Sequence, residues 1–357
     1  MVKKMSWLKA KWQALQARLN FAAIGSGIGK VVAIVLLVLA ILLSFLGMYW
    51  SNEPEQFDVV ASAKDMAAER GYLNNSKKLV VGYTTGSTLH TLVDTLLEKP
   101  GGFISNDLMP PGVFMDNMPA WEFGVLVQAR DLARAFRKEF SRSQSQSTED
   151  VNLKIAEPQF NFDTRSWALP SSESEYRRGN QELQEYLDRL AGQGNNKANF
   201  YARADNLSDW LSDVSTRLGS LSQRLSASVA NVRENTDLAG DTSARQSNDS
   251  GAYQYVKTPW SKVDDVFYEA RGASWALIHI LRAIEVDFVF TLQDKNALVS
   301  LRQIIRELEA TQTSIWSPFI LNGSGFGVLA NHSLVMASYI SRANTAIIDL
   351  RRLLEQG

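Results

Sequence analysis

The stretch LSDWLSDVSTRLGSLSQRLSASVANV, Leu207–Val232, decides the fold class. Leu207, Leu211, Val214, Leu218, Leu221, Leu225, Ser228 and Val232 recur at alternating spacings of four and three, the seam of a long packed helix. The flanks are serines with Arg217 and Arg224 rather than alternating Glu and Lys, so they specify no charged dimer. Packing within the same chain competes with self-association.

The same period runs through the chain on either side. Leu89, Leu92, Val93, Leu96 and Leu97 form a face that Pro100 and Gly101 terminate. A helix from about Trp121 carries Val125, Ala129, Leu132, Phe136 and Phe140 on one face and Arg130, Arg134, Arg137 and Lys138 on the other. Further helices are expected over 56–70, near 174–191, through the stripe Val263–Phe288, along Leu298–Leu308 and from about Val328 to Leu354. Alternating strand patterns are few and no repeat of fixed period occurs. The expectation is an all-α fold, a bundle of long antiparallel helices.

One segment does not belong to that bundle. Val31–Tyr49, VVAIVLLVLAILLSFLGMY, carries no charge and spans about 28 Å as a helix, the thickness of a bilayer's hydrocarbon core. Lys30 closes one end, and Tyr49 with Trp50 supplies an aromatic belt at the other. The run is too long for a signal peptide and GMYWSNEPE offers no small-residue cleavage site. Residues 1–52 hold six basic residues and no acid, against Lys64 and Arg70 just beyond the run. That asymmetry puts the N-terminus in the cytoplasm. The expected organisation is a basic cytoplasmic segment (1–30), a transmembrane helix (31–50) and a periplasmic helical domain (51–357), with sub-boundaries near 141–150 and 236–252. Within the first segment, MSWLKAKWQALQARLN aligns Leu8, Trp12, Leu15 and Leu19, an amphipathic helix suited to the inner leaflet or a plain tail helix.

Beyond residue 52 the chain carries 31 basic against 38 acidic residues. A mildly acidic body gives no concentrated positive field for nucleic acid. There is no cysteine, hence no disulfide and no thiol nucleophile. His90, His279 and His332 lie far apart without metal-binding spacing, so no metal or cofactor is expected; His279, inside WALIHILRAIE, reads as a core residue. LNGSGFGVLANHS (321–333) has glycines before a helix, but no preceding strand and no Lys-Ser/Thr pair, and reads as a helix connector.

Two loop regions carry the candidate sites. FNFDTRSWALPSSESEYRRG (160–179) places Glu173 near Asp163 and Glu175, a set of acids that could serve glycosidic cleavage with Glu173 as the proton donor. The competing explanation is helix capping: Ser171 or Ser172 caps the next helix, and the glutamates suit its positive end. Trp167 is then an apolar anchor of an extended crossover. The turn-rich segment 100–121 adds Phe103, Phe114 and Trp121, which with Trp167 are candidate contacts for a protein partner.

The segments LLEKPGGFISNDLMPPGVFMDNMPAWEFGVLVQARDLARAF, FSRSQSQSTED, FDTRSWALPSSESEYRRG and FYARADNL resemble the proteobacterial inner-membrane family catalogued as domain of unknown function two-three-three-three. The resemblance covers most of the body. It implies a single-pass envelope protein and supplies no catalytic residues. Three functions remain in play: a non-catalytic envelope scaffold, a peptidoglycan-acting hydrolase or lyase using Glu173, and a helical bundle that binds a lipid or other apolar ligand.

Overall fold

The computed structural model describes residues 27–72, 79–143, 148–193, 197–229, 231–234, 253–315, 317, 319–324 and 328–356. The amphipathic segment at 5–20, the break at 236–252 and the middle of the 141–150 linker lie outside them. The helices are α1 (Gly27–Trp50), α2 (Val59–Glu69), α3 (Tyr83–Glu98), α4 (Asn117–Ala135), α5 (Leu153–Phe160), α6 (Ser172–Leu190), α7 (Ala204–Ser226), α8 (Val263–Asp287), α9 (Val289–Asp294), α10 (Leu298–Ala310) and α11 (His332–Glu355). A π-helical turn, Phe136–Phe140, extends α4. The fold is an all-helical bundle, as the periodicity predicts.

Where the expectation fails, local chemistry explains it. The Leu207–Val232 seam ends early: α7 stops at Ser226, and Val232 lies in a strand, Asn231–Glu234 (β1), paired antiparallel with Tyr253–Val256 (β2). Ala227 caps the helix, and its carbonyl accepts from the Thr258 amide, drawing the chain into this ribbon. Pro158 lies inside α5. Its missing N–H costs little because α5 spans only two turns.

The seam of α7 is closed within the chain. Leu207 through Leu225 are buried, and α7 packs chiefly on α11, where Ser222 Oγ donates to Ala337 O and Ser208 Oγ to Glu355 Oε1.

The central contact is between α4 and α8, and two glycines permit it. A Cβ at Gly272 would lie 2.8 Å from the Trp121 carbonyl carbon, and closer still to its oxygen. One at Gly124 would lie 2.7 Å from Ala273 N. The backbones thus touch where side chains would hold them apart. Trp121 and Trp275 fill the space beside the crossing, ring centroids 5.2 Å apart.

α1 stands outside this core. It is long and apolar enough to cross a membrane, and its apolar side chains are exposed along its length. Its last turn meets the body: Gly47 faces Pro111, and the Trp50 ring covers Gly101, where an added Cβ would sit 2.7 Å from it.

Candidate functional site

The crossover between α5 and α6 is built from backbone-directed hydrogen bonds. Arg130 of α4 donates through Nε to Phe160 O (2.6 Å) and through Nη2 to Phe162 O (2.8 Å). Asp163 Oδ1 accepts from Arg165 N at 3.0 Å, locking the turn. Ser171 is the N-cap of α6, accepting from Ser174 N, while Ser172 is buried and donates to Asp163 O and Ser166 O. Glu173 and Glu175 occupy the first turn, where the helix dipole favours acids.

Glu173 is half-buried, and its Oε2 accepts from Asn106 Nδ2 at 2.9 Å. The same amide donates to Ser166 O at 2.8 Å, so Asn106 clamps the crossover, the start of α6 and the 103–107 loop together. Asp107 lies nearby; burial, with the Glu173 charge adding to it, pushes its carboxyl above the usual range. Asp163 is exposed and Glu175 half-buried. Among the described residues, no hydrogen bond joins either of them to Glu173. Glu173 faces the loop, and the Asp163 carboxylate is used by its own turn.

The buried carboxylate of this region is Glu122, which the sequence analysis passed over. It is fully buried on α4 and accepts from Ile104 N (2.8 Å), Ser105 N (2.9 Å), Ser105 Oγ (2.5 Å) and Lys99 Nζ (2.6 Å). Burial pushes its pKa upward, and the Lys99 charge opposes that most strongly. Every acceptor site of the carboxylate is occupied, which makes it a fastener for the 99–105 segment rather than a free acid.

Of the four candidate partner aromatics, two are core residues. Trp121 is 0% exposed and Phe103 3%, because the turn-rich segment folds inward at Phe103 and α4 starts at Asn117, ahead of Trp121. Phe103 meets Tyr176 edge to face at 5.4 Å. The reading of these two as exposed is corrected. Phe114 and Trp167 do face outward, at 80% and 66% exposure, and Trp167 accordingly does not anchor the crossover in the core. Lys30, Val31 and Tyr49 are exposed on α1, whereas Trp50 is half-buried against the body.

The segment leaving α1 is bolted to α8. Arg271, buried, grips Glu53 with Nε and Nη2 (2.8 and 2.6 Å) and donates through Nη1 to Thr311 O and Thr313 O. Eight residues further along α8, His279 Nε2 accepts from Phe57 N at 3.0 Å, and the two rings stack at 4.0 Å. Its Nδ1 lies 2.7 Å from Trp275 O, which assigns the proton to that nitrogen. Burial lowers the His279 pKa to about 4. At the far end of α8, buried Asp287 accepts from Thr85 N and Oγ1, both at 2.7 Å, at the start of α3; burial raises its pKa to about 6.

One concavity has the character of a ligand site. Between α8, α10 and α11 an open pocket of about 410 Å³ is lined by Phe267, Ile315, Val335, Met336 and Tyr339, with Arg271, His332, Thr311, Thr313, Ser314 and Ser317 as polar groups. Among the described residues no cluster of His, Asp and Glu is arranged to hold a metal ion.

Against known families, residues 24–357 match the one described as an uncharacterized protein conserved in bacteria, DUF2333. The chain belongs to this family. It is the family whose resemblance the loop and crossover segments carried. No match was found among curated proteins or among solved structures.

Proposed function

We propose that this chain is a membrane-anchored helical scaffold of the bacterial cell envelope. In this reading α1 spans the inner membrane, the basic N-terminal segment stays in the cytoplasm, and the bundle stands in the periplasm and engages an envelope protein partner. The observation that carries it is the coupling of α1 to the body. An exposed apolar helix is followed at once by a segment that Glu53–Arg271 and Phe57–His279 fix along α8. The last turn of α1 itself also packs on the body, Gly47 at Pro111 and Trp50 at Gly101. The cysteine-free sequence makes the test direct. Single cysteines introduced at exposed Ser174 and in the 1–30 segment react with a membrane-impermeant maleimide in opposite patterns in intact cells. Labelling of the N-terminal position alone, or of neither after removal of the outer membrane, refutes the topology. A cross-linker at exposed Phe290, at the end of the body away from α1, is expected to trap an envelope protein; recovery of monomer only would refute the scaffold role.

The pocket beside Arg271 favours a second reading, an apolar ligand with one polar end. The lining supplies a mainly hydrophobic wall, and His332 and Arg271 supply orientation. Copurifying lipid, detected by mass spectrometry of the extracted protein and lost in a Met336→Trp variant, is the expected result. Lipid retained unchanged in that variant would refute the site.

A further inference from the structure

The loop Asp107–Asp116 is ordered yet turns its largest apolar side chains outward. Val113 N donates to Met109 O (3.1 Å), Phe114 N to Pro111 O (2.9 Å) and Met115 N to Gly112 O (2.9 Å), so the backbone is closed on itself. Glu122 and Lys99 fasten its approach from below. Pro111 and Gly112 are buried, whereas Leu108, Met109, Val113 and Phe114 are exposed. A rigid loop with a buried back and an apolar front is built to be covered.

What covers it follows from where it sits. Pro111 packs against Gly47, three residues before the end of α1, so closely that a Cβ added at Gly47 would meet the Pro111 Cβ at 3.4 Å. At 1.5 Å per residue the loop therefore stands roughly 4–5 Å inside the end of the apolar helix, not beyond it. Two other exposed apolar elements flank it. Asn106 ties the loop to Ser166, beside Trp167 and Leu169, the latter fully exposed. Asp116 lies within electrostatic reach of Lys262, beside Trp260, which is 86% exposed. Aromatic and large aliphatic groups gathered at the level of a span's end match the composition of a bilayer interface.

We propose that this end of the body is a second membrane contact: Met109, Phe114, Trp167 and Trp260 insert into the headgroup boundary of the leaflet from which α1 emerges. The occupant is the lipid surface and not a protein partner, because any bilayer that holds α1 places its boundary at the height of Gly47. The inference rests on α1 being a span. The body is then held at two points, with the Glu122-fastened loop as the shallow one.

Depth-dependent quenching tests this on the full chain in vesicles of phosphatidylethanolamine and phosphatidylglycerol. An environment-sensitive fluorophore is placed on single cysteines at Phe114→Cys, at Val38→Cys in the middle of α1, and at Phe290→Cys, an exposed position at the opposite end of α8. Lipids spin-labelled near the headgroup should quench the label at 114 about threefold more than the label at 290, and chain-end spin labels should quench the label at 38. Met109→Cys provides a second position should the first variant fold poorly. Quenching at 38 with none at 114 or 109 overturns the inference and leaves the anchor standing. A blue-shifted but unquenched label at 114 also overturns it, since a second copy or a protein would then cover the loop. No quenching at 38 removes the anchor, and the inference falls with it.

Discussion

Alanine at Gly272 is the sharpest perturbation that the fold allows. The new methyl group would stand 2.8 Å from the Trp121 carbonyl carbon, where unstrained carbon contacts lie at about 3.5–4.0 Å. Both neighbours are helix backbone and cannot rotate away, so α4 and α8 must separate by about 1 Å. A gap of that size forfeits a quarter to a half of the dispersion energy of each contact it opens, and the crossing is the most extensive helix contact in the molecule. Overpacking of this kind costs about 1–3 kcal/mol or more, and the intrinsic helix preference of alanine recovers at most about 1 kcal/mol. The net expectation is a loss of about 1–2 kcal/mol. Gly219 of α7 is the internal control, because its added Cβ would meet only Asn344 Nδ2 at an ordinary 3.6 Å. There the propensity gain stands alone, and Gly219→Ala should stabilise by about 0.5–1 kcal/mol. Denaturant titration of the full chain in detergent micelles, followed by tryptophan fluorescence, measures both. If Gly272→Ala unfolds within about 0.5 kcal/mol of the parent, the close crossing of α4 and α8 is wrong.

Other perturbations probe the fastenings. Glu122→Gln leaves the Lys99 ammonium buried without its counter-charge, and should cost about 3–5 kcal/mol in the same titration. Two buried groups titrate with opposite sign. Asp287, raised to about 6, contributes stability that is complete below its unfolded value of 3.8 and is lost as pH rises through 6; His279, lowered to about 4, contributes stability present above 6.5 and lost as pH falls through 4. Each amounts to about 3 kcal/mol, so they offset one another between pH 4 and 6.5. Asp287→Asn should therefore uncover acid lability in that window, and His279→Gln the reverse slope; parallel slopes in both variants would contradict the assignment. Glu173→Gln keeps an oxygen for Asn106 and should change stability by less than about 0.5 kcal/mol. Loss of an in-cell function in that variant, with the fold intact, would restore carboxylate chemistry at this position.

The helices were legible because their cause is local. The Leu207–Leu225 seam, the Leu89–Leu97 face and the Val263–Phe288 stripe each carry the 3.6-residue period that burial of one face requires. The same locality placed Ser171 with Glu173 and Glu175 at the start of α6 and His279 in the core. What stayed hidden depends on contacts between distant segments. Gly124 and Gly272 look like weak points in two separate helices until the helices cross. Glu53 and Arg271, or Glu122 and Lys99, are ordinary surface residue types whose pairing only the assembled bundle creates. The 100–121 segment misled for a related reason. Its Gly, Pro and Asn content correctly signals turns, but turn chemistry says nothing about which side of a loop faces the core. Phe103 and Trp121 thus went in, while Leu108 and Met109, unremarked beside them, came out.

Ser51–Asp58 has a mechanical consequence. As a free linker, a stretch of that length would let the body wander roughly 15 Å from the end of α1 and swivel about it. Arg271 and His279 remove that freedom, and the segment becomes a strut with both ends welded. Any tilt or rotation of α1 must be carried by α8 and, through Nη1 of Arg271, by the Thr311–Thr313 rim of the pocket. Helix and pocket share one load path, with a single guanidinium as its joint.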